Sequence, residues 1–381
     1  MASLPQGFRG AGVAAGIKSS GNRDLALIVN DGPQKYGTAV FTSNRVEAAP
    51  VTWSRQVVSD NEISAVVLNS GGANACTGPE GFVDTHKTAE HVAEKLSVSA
   101  GDVVVCSTGL IGVRLPMDAL LAGVDRAVDE LGSINAEEIA EAIMTTDSHS
   151  KFFEKEYKGV KVFGIAKGAG MLAPSLATML SVIVTDAVVD QAAGKIFKEV
   201  TSETFDLLDS DGCMSTNDTV TFMASGASGV TLSHQELKSL LLDCAGYLAH
   251  QLISDAEGHT KIVEIVTVNA ASIEDALEVG RSCARNNLLK CALNGADANW
   301  GRVLAAVGTT QAAFDPQTID VSLNGVMVCR NSSPGADRSD VDMTGKDIRI
   351  VIDLKAGSAQ GTIWTNDLSA MYVHENSAYS S

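Results

Sequence analysis

A threonine near the middle of the chain could act as a nucleophile. Thr178 follows Ala177 at the end of the segment KGAGMLAPSLAT, residues 167–178. A threonine hydroxyl attacks a carbonyl group only when a base takes its proton, and the free α-amine of an N-terminal threonine, with a pKa of about 7.7–8.0, can be that base. Cleavage of the Ala177–Thr178 bond would expose this amine. The same dipeptide also suits an ordinary strand start, so the residues alone leave both interpretations open.

The cleavage itself could use the same hydroxyl group. Attack of the Thr178 Oγ1 atom on the Ala177 carbonyl would move the acyl group from nitrogen to oxygen, and water would then hydrolyse the ester. The segment before Thr178 is also unusual for a connection between two strand-like runs. It carries Gly, Ala, Pro and Met where a hairpin ordinarily has two to five polar residues. We therefore expect something other than a simple turn there.

Two further features could recognise negative charge. A β-branched run ends at Thr108 and Gly109, and backbone N–H groups at such a turn can stabilise an oxyanion, although most turns of this kind have no such role. Lys167 precedes a glycine-rich segment that matches neither the P-loop pattern nor GxGxxG, so nucleotide binding is not indicated. Its ammonium group is either part of an anion site or an ordinary solvated charge.

Short β-branched runs alternate with helical patterns along the chain, which predicts an α/β fold. The 381 residues favour two lobes, and since no repeat or linker divides them, we expect the lobes to share one site. Strands are predicted at residues 25–31, 63–70, 102–107, 161–167 and 178–187. Helices are predicted at residues 79–96, 116–131, 191–208 and 234–256.

The composition excludes several classes of protein. No apolar run reaches the 18 or so residues that a membrane helix needs, and the N-terminus lacks a secretion signal, so we expect no membrane association and a cytoplasmic location. Lys and Arg number 28 against 46 Asp and Glu, a net charge of -18 that disfavours binding to nucleic acid. An anionic substrate would need a local cation such as Lys167.

The cysteine and acidic residues do not form a recognisable metal site. Seven cysteines occur singly, with no C-x-x-C pair, which disfavours a disulfide framework and a zinc site. The acidic segment 209–218 has Cys213 and Met214 at places where a calcium loop needs an oxygen ligand and a glycine. A thiol nucleophile at Cys76 or Cys106, with His86 as its base, stays an alternative to Thr178.

Eight segments, taken in order, resemble the ornithine acetyltransferase family, a self-processing branch of the N-terminal-nucleophile enzymes. The resemblance covers nearly the whole chain. The segments are SGGANACTG (70–78), CSTGLIG (106–112), IMTTD (143–147), KGAGMLAPSLATMLSVIVTDA (167–187), DGCMSTNDT (211–219), DAEGHTK (255–261), DANWGRVLAAVG (297–308) and ENSAYSS (375–381).

The resemblance implies a layered fold of mixed sheets flanked by helices, in two lobes, that cleaves itself before a threonine nucleophile. The α chain would be residues 1–177 and the β chain residues 178–381, with Thr178 as the nucleophile. Thr108 and Gly109 would form the oxyanion hole. The substrate contacts implied by the family motifs are Thr145, Lys167, Thr178, Glu257, Asn376 and Ser381.

The family activity implied is transfer of acetyl from N2-acetyl-L-ornithine to L-glutamate in the cyclic pathway of arginine biosynthesis. Acetyl-Thr178 would be the intermediate of a ping-pong reaction, with no cofactor and no metal. An assembly of two α and two β chains is expected. A bifunctional member that also takes acetyl from acetyl-CoA, an aminopeptidase or amidase of the same fold, and an unprocessed binding protein are the alternatives.

Overall fold

A computed structural model of the chain describes residues 2–132, 135–172 and 179–378. Three predicted site residues, Ala177, Thr178 and Ser381, lie outside this part of the chain. The strands are β1 Phe8–Val13, β2 Leu25–Asn30, β3 Tyr36–Phe41, β4 Ala65–Ser70, β5 Val103–Thr108, β6 Lys151–Tyr157, β7 Val160–Lys167, β8 Leu180–Thr185, β9 Thr219–Ala224, β10 Ile262–Ala270, β11 Asp320–Leu323, β12 Val326–Arg330, β13 Ser333–Pro334, β14 Asp347–Asp353 and β15 Ala359–Asn366.

The α-helices connect these strands and cover the sheets. They are α1 Ala49–Val57, α2 Gly78–Leu96, α3 Met117–Asp129, α4 Ala136–Ile143, α5 Ala193–Ser202, α6 His234–Ser254, α7 Ile273–Ala284, α8 Asn287–Asn294, α9 Trp300–Val307 and α10 Ala370–Ala378. In the part of the chain that the structure describes, none of these helices is long and apolar enough to cross a membrane.

The described residues form three sheets, and each of them mixes parallel and antiparallel pairs. The four-stranded sheet has the order β1-β2-β4-β5, in which β4 and β5 are parallel. The five-stranded sheet has the order β3-β9-β8-β7-β6, in which β8 and β9 are parallel. The six-stranded sheet has the order β13-β12-β11-β14-β10-β15, in which β10 and β14 are parallel. The predicted α/β fold with layered mixed sheets is therefore confirmed.

The four-stranded and five-stranded sheets pack face to face between two helical layers. Between the sheets, Leu68 and Val104 belong to the same buried cluster as Phe163 and Val182. Side chains alternate along a strand, so each sheet also buries residues on its outer face. The outer face of the four-stranded sheet packs against α2 and α3, and the outer face of the five-stranded sheet packs against α5 and α6. Each fully buried Leu or Val side chain contributes about 1.5–3 kcal/mol. The result is a four-layer arrangement.

The six-stranded sheet forms a separate core with α7, α8 and α9. Its strands β10 and β15 pair antiparallel, with Ile262 opposite Asn366. The carboxylate of Asp367 accepts hydrogen bonds from the amides of Thr260 and Lys261, at 2.8 and 2.7 Å. This pairing brings the segment that follows α6 next to the segment that leads into α10.

Most elements predicted from the sequence lie within one or two residues of their predicted bounds, but one helix was predicted too long. The predicted helix over residues 191–208 ends at Ser202, and a short 3-10 helix follows at Phe205–Leu207. Thr204 leaves the helical conformation at φ -132° and ψ -85°, while its hydroxyl group donates to the Val200 carbonyl. Phe205 remains buried in the core, so the apolar pattern continues although the helix has ended.

Candidate active site

The candidate oxyanion turn lies where two parallel strands end. Strands β4 and β5 run in the same direction, so their carboxyl ends, Ser70 and Thr108, meet at one edge of the sheet. The Thr108 carbonyl accepts hydrogen bonds from the amides of Gly71 and Gly72, at 2.9 and 3.0 Å. Gly109 has a φ of +127°, and a Cβ atom there would lie only 2.6 Å from the Gly72 nitrogen. A glycine is therefore required for this close approach of two backbones.

Lys167 is a buried cation at the end of β7. Its side chain is only 2% exposed, which excludes the solvated-charge interpretation. The Nζ atom donates a 3.1 Å hydrogen bond to Thr108 Oγ1, so it joins the five-stranded sheet to the strand end of the four-stranded sheet. Burial lowers the pKa of Lys167, whereas the nearby carboxylates of Asp147, Asp218 and Glu257 oppose that shift. The lysine can supply a local positive charge in a strongly acidic protein.

Two threonines, Thr145 and Thr146, directly follow α4. They line a pocket that Thr108 and Lys167 also line. The helix ends at Ile143, and the Thr145 amide then donates to Asp147 Oδ2 at 2.9 Å, which forms a tight turn. Thr146 Oγ1 donates to Glu257 Oε1 at 2.7 Å. Thr145 therefore lies in a polar turn and lines the pocket as well.

Glu257 lies beyond the end of α6, since the helix ends at Ser254. The helix predicted over residues 234–256 was therefore two residues too long, and Glu257 lies in the turn that follows α6. The Glu257 amide donates to the Ala169 carbonyl at 2.9 Å, which fixes it beside the segment after Lys167. Gly170 lies so close that a Cβ atom there would come within 2.6 Å of a Glu257 carboxylate oxygen.

The C-terminal helix α10 packs against the same segment. Ser369 Oγ donates to the Gly258 carbonyl, and Gly258, at φ +60°, leaves no room for a Cβ atom because the Tyr372 nitrogen lies 2.2 Å from that position. Asn376 lies in α10 and lines the pocket, with its amide nitrogen 3.0 Å from the Tyr372 carbonyl oxygen. Helix α10 therefore brings the C-terminal part of the chain beside the pocket as far as Ala378, the last described residue.

One pocket brings these residues together. It encloses about 610 Å³, part of it open to solvent. Six of the predicted site residues line it, namely Thr108, Gly109, Thr145, Lys167, Glu257 and Asn376. The other three, Ala177, Thr178 and Ser381, lie outside the described residues. Leu172, the last described residue before the predicted cleavage junction, and Met179, the first one after it, are both buried.

The loop before β9 also lines the pocket, and the sequence had not assigned it a role. Ser215, Thr216 and Asn217 belong to the segment DGCMSTNDT, which was part of the family resemblance. The Asn217 side-chain amide donates to the carbonyls of Ala73 and Ser107, at 2.6 and 2.8 Å. It therefore fixes this loop to the end of β5. The signal available in the sequence was the position of the segment directly before a β-branched run.

Asp218 is a second residue of this loop that sequence reasoning missed. Its carboxylate is fully buried and accepts a 3.0 Å hydrogen bond from the Met179 amide, directly after the predicted nucleophile. Burial raises the pKa of Asp218 well above its ordinary value, although the Met179 and Ser215 hydrogen bonds and the Lys167 charge oppose the shift. The group can therefore hold a proton next to the start of β8.

The thiol alternative finds little support in the structure. Cys106 is buried on β5, and burial raises its pKa to about 12, so it is not a thiolate at neutral pH. Cys76 lies in an exposed position outside the residues that line the pocket. Within residues 2–132, 135–172 and 179–378, no group of three or more His, Cys, Asp or Glu side chains could hold a metal ion.

The fold and the pocket define an α/β protein in which a buried cation, a carboxylate and a glycine turn line one pocket, the kinds of group that an acyltransferase uses. The ArgJ family model matches residues 9–381. The chain is 58% identical over 382 residues to the arginine biosynthesis bifunctional protein ArgJ of Thermobifida fusca, with 99% of each protein covered. It is also 58% identical over 377 residues to the protein of the same name in Streptomyces avermitilis, with 99% of this chain and 98% of that protein covered.

The chain therefore belongs to the ArgJ family, and it is an acyltransferase of arginine biosynthesis. Among solved structures, the ornithine acetyltransferase of Mycobacterium tuberculosis, determined in complex with ornithine, is 52% identical with a TM-score of 0.41. That match covers 46% of this chain and 94% of the solved chain. The acetyltransferase identity that the sequence predicted is confirmed by the family match.

Proposed function

We propose that this protein moves acetyl from N2-acetyl-L-ornithine to L-glutamate through an acetyl-Thr178 intermediate. The observation that supports the proposal best is the single pocket in which Lys167, the Thr108–Gly109 turn and Glu257 meet. N2-acetyl-L-ornithine offers its α-carboxylate for a cation, its acetyl carbonyl oxygen for an oxyanion hole and its δ-ammonium group for a carboxylate. The pocket has one group for each of these.

The reaction consists of two acyl transfers. The α-amine of Thr178 takes the proton from Oγ1, and Oγ1 attacks the acetyl carbonyl carbon of N2-acetyl-L-ornithine. The bond from that carbon to the ornithine nitrogen breaks, and the proton passes to the leaving nitrogen. The neutral amine of L-glutamate then attacks the acetyl ester, which gives N-acetyl-L-glutamate and restores the Thr178 hydroxyl. Negative charge develops on the same carbonyl oxygen in both steps, next to Thr108 and Gly109.

The two amino acids share one binding site. Lys167 pairs with the α-carboxylate of each substrate, and Glu257 pairs with the ammonium group of the ornithine skeleton. Thr145 and Asn376 add polar contacts from the pocket wall. Ser381, at the end of the chain, is proposed as a further contact. This sharing suits a ping-pong reaction, because the first product leaves before the acceptor binds.

The nucleophile requires cleavage of the chain between Ala177 and Thr178. The mature protein then consists of residues 1–177 and residues 178–381, and two copies of each chain form the proposed assembly in the cytoplasm. Intact mass spectrometry and Edman sequencing test the cleavage, and light scattering tests the assembly. Thr178→Ala, as the control, should remain one uncut chain. A new N-terminus at any other residue contradicts the nucleophile assignment.

An isotope-transfer assay tests the activity. N2-acetyl-L-ornithine labelled in the acetyl group is incubated with the purified protein, with and without L-glutamate. The proposal expects labelled N-acetyl-L-glutamate only when L-glutamate is present. Labelled free acetate at the same rate in both reactions would indicate an amidase instead. Labelled acetyl-CoA as the donor, in a parallel reaction, tests the bifunctional alternative.

A further inference from the structure

A buried ion cluster lies behind the pocket, outside the residues assigned so far. Lys151 lies on β6 with a fully buried side chain, and its Nζ atom is 2.6 Å from Asp147 Oδ1 and 2.6 Å from Asp255 Oδ2. Asp147 follows α4 and Asp255 follows α6. The three side chains, called the Asp147 triad below, join elements that are separated by about a hundred residues in the sequence.

Asp147 holds the backbone on both sides of the pocket. Its Oδ1 atom accepts a 2.7 Å hydrogen bond from the amide of Gly168, the residue directly after Lys167. Its Oδ2 atom accepts a 2.9 Å hydrogen bond from the Thr145 amide. One carboxylate therefore fixes the end of the strand that carries Lys167 and the turn that carries Thr145.

Asp255 holds the opposite end of the triad. It accepts hydrogen bonds from the amide and the hydroxyl group of Ser148, and His149 lies 3.5 Å away on the more exposed side. Within the described residues, the hydrogen bonds and ion pairs of the Asp255 carboxylate are with Ser148, His149 and Lys151, and they do not reach the Gly168 and Thr145 amides. The two acidic residues share the Lys151 partner, but only Asp147 reaches the backbone beside Lys167.

The negative charge of Asp147 favours the protonated form of Lys167. With two carboxylates and one ammonium group, the triad carries one net negative charge, which the ammonium group of Lys167 balances. Burial raises the pKa of Asp147, but the charges of Lys167 and Lys151 and the Gly168 hydrogen bond outweigh it, so the pKa is lowered. The titratable groups that face Lys167 from the surrounding elements are Lys18, Asp147, Lys151, Asp218 and Glu257.

We propose that Asp147 is a positioning residue that keeps Lys167 charged and in place for the substrate carboxylate. The inference rests on the proposed function, since that function assigns the carboxylate to Lys167. A buried ion pair is often no more stabilising than apolar residues of the same volume, so stability alone is a weak reason for the triad. A stronger reason for the triad is that it fixes the position and the charge of Lys167.

The test compares Asp147→Asn with Asp255→Asn as its matched control. Both changes remove one carboxylate from Lys151, but only the first removes charge and a backbone hydrogen-bond acceptor beside Lys167. Loss of the nearby negative charge disfavours the ammonium form, so Asp147→Asn should lower the titration midpoint of Lys167 by about one pH unit. Asp255→Asn should leave that midpoint at the wild-type value.

Two readouts report the midpoint. NMR of protein labelled with 13Cε-lysine, with the Lys167 resonance assigned from Lys167→Arg, follows the titration without any turnover. The basic limb of kcat/KM for N2-acetyl-L-ornithine against pH follows the same group during catalysis. A wild-type protein that transfers no acetyl contradicts the proposed function, whereas an unchanged Lys167 titration in Asp147→Asn overturns this inference. Equal shifts in Asp147→Asn and Asp255→Asn also overturn it.

Asp147→Glu gives a second test in case Asp147→Asn does not fold. The variant keeps the negative charge but displaces the carboxylate by one methylene, so it cannot hold the Gly168 and Thr145 amides as Asp147 does. The Lys167 midpoint should then stay near its wild-type value, while kcat/KM on the pH plateau falls at least tenfold. Wild-type kcat/KM in Asp147→Glu would show that the geometry of this carboxylate is unimportant and would overturn the positioning role.

Discussion

Lys167 Nζ and Thr108 Oγ1 lie 3.1 Å apart, although the lysine ends β7 in the five-stranded sheet and the threonine ends β5 in the four-stranded sheet. Face-to-face packing of the two sheets brings these strand ends together. The pair therefore places the proposed carboxylate-binding cation beside the proposed oxyanion turn. In this arrangement the Lys167 ammonium group donates, and the Thr108 hydroxyl keeps its own proton for donation to another acceptor.

Thr108→Ala should slow both self-cleavage and acetyl transfer. The proposed oxyanion lies next to this residue in both reactions, and loss of one oxyanion donor typically costs a factor of about 10²–10³ in rate. Thr108→Ser keeps the hydroxyl group and should retain most of the activity. Intact mass spectrometry measures the cleavage, the isotope assay measures the transfer, and circular dichroism checks the fold. Full turnover by Thr108→Ala would remove the residue from the site.

Gly109→Ala should disrupt the turn at the end of β5. The new Cβ atom would lie 2.6 Å from the Gly72 nitrogen and 2.8 Å from the Gly71 carbonyl carbon, both backbone atoms. Gly112→Ala is the matched control, because Gly112 also has a positive φ, +84°, but its Cβ atom would meet nothing within 4 Å. The positive φ destabilises the folded state of both variants by about 1–3 kcal/mol. Only Gly109→Ala should also lose cleavage and acetyl transfer, and equal losses in both would contradict the steric argument.

The sequence predicted the positions of the strands well, because local patterns carry that information. Buried strands have β-branched runs, so the ends of β5 and β7 at Thr108 and Lys167 were within reach of pattern analysis. The helix predicted over residues 191–208 was wrong because Phe205 keeps its place in the apolar pattern while the backbone has already left the helix. The apolar periodicity indicates which side chains are buried, not where the helix ends. A tight turn after the helix can preserve the same periodicity.

The contacts that assemble the pocket were beyond a single sequence. Asn217 bonds to the carbonyls of Ala73 and Ser107, which lie more than 100 residues away in the chain. Lys151 likewise bonds to Asp255, across 104 residues. Neither contact produces a periodic pattern in the sequence, since each depends on how the sheets and helices pack. The family resemblance supplied the roles of Glu257 and Asn376 for the same reason.

Asp209 should make the stability of the protein depend on pH between about 4 and 6. Burial raises its pKa from 3.8 to about 6, although Arg285, 2.8 Å away, opposes the shift. The folded state therefore binds more protons than the unfolded state in this window, so its stability falls as the pH rises. Asp209→Asn cannot ionise, and its Tm relative to wild type should increase by about 2–5 °C from pH 4.5 to pH 7.5. A Tm difference that is constant across this range would contradict the prediction.

Glu257→Gln should weaken substrate binding without preventing self-cleavage. The change keeps the size of the side chain and a hydrogen-bond acceptor for Thr146, but it removes the charge that we propose pairs with a substrate ammonium group. Since cleavage involves no free substrate, two chains should still form. The value of kcat/KM for N2-acetyl-L-ornithine should fall at least tenfold, equivalent to about 1.4 kcal/mol. Failure to mature would instead indicate a structural carboxylate.

Gly170→Ala tests the position of the same carboxylate while its charge is kept. The new Cβ atom would lie 2.6 and 2.9 Å from the two carboxylate oxygens of Glu257, so this flexible side chain must move away. We expect normal cleavage, a Tm close to that of wild type, and a KM for N2-acetyl-L-ornithine that rises several-fold, in the same direction as for Glu257→Gln. Gly246→Ala in α6 is the control, because the nearest atom to its Cβ would be 3.9 Å away. A wild-type KM in Gly170→Ala, together with a raised KM in Glu257→Gln, would show that the charge of Glu257 matters but that its observed position does not.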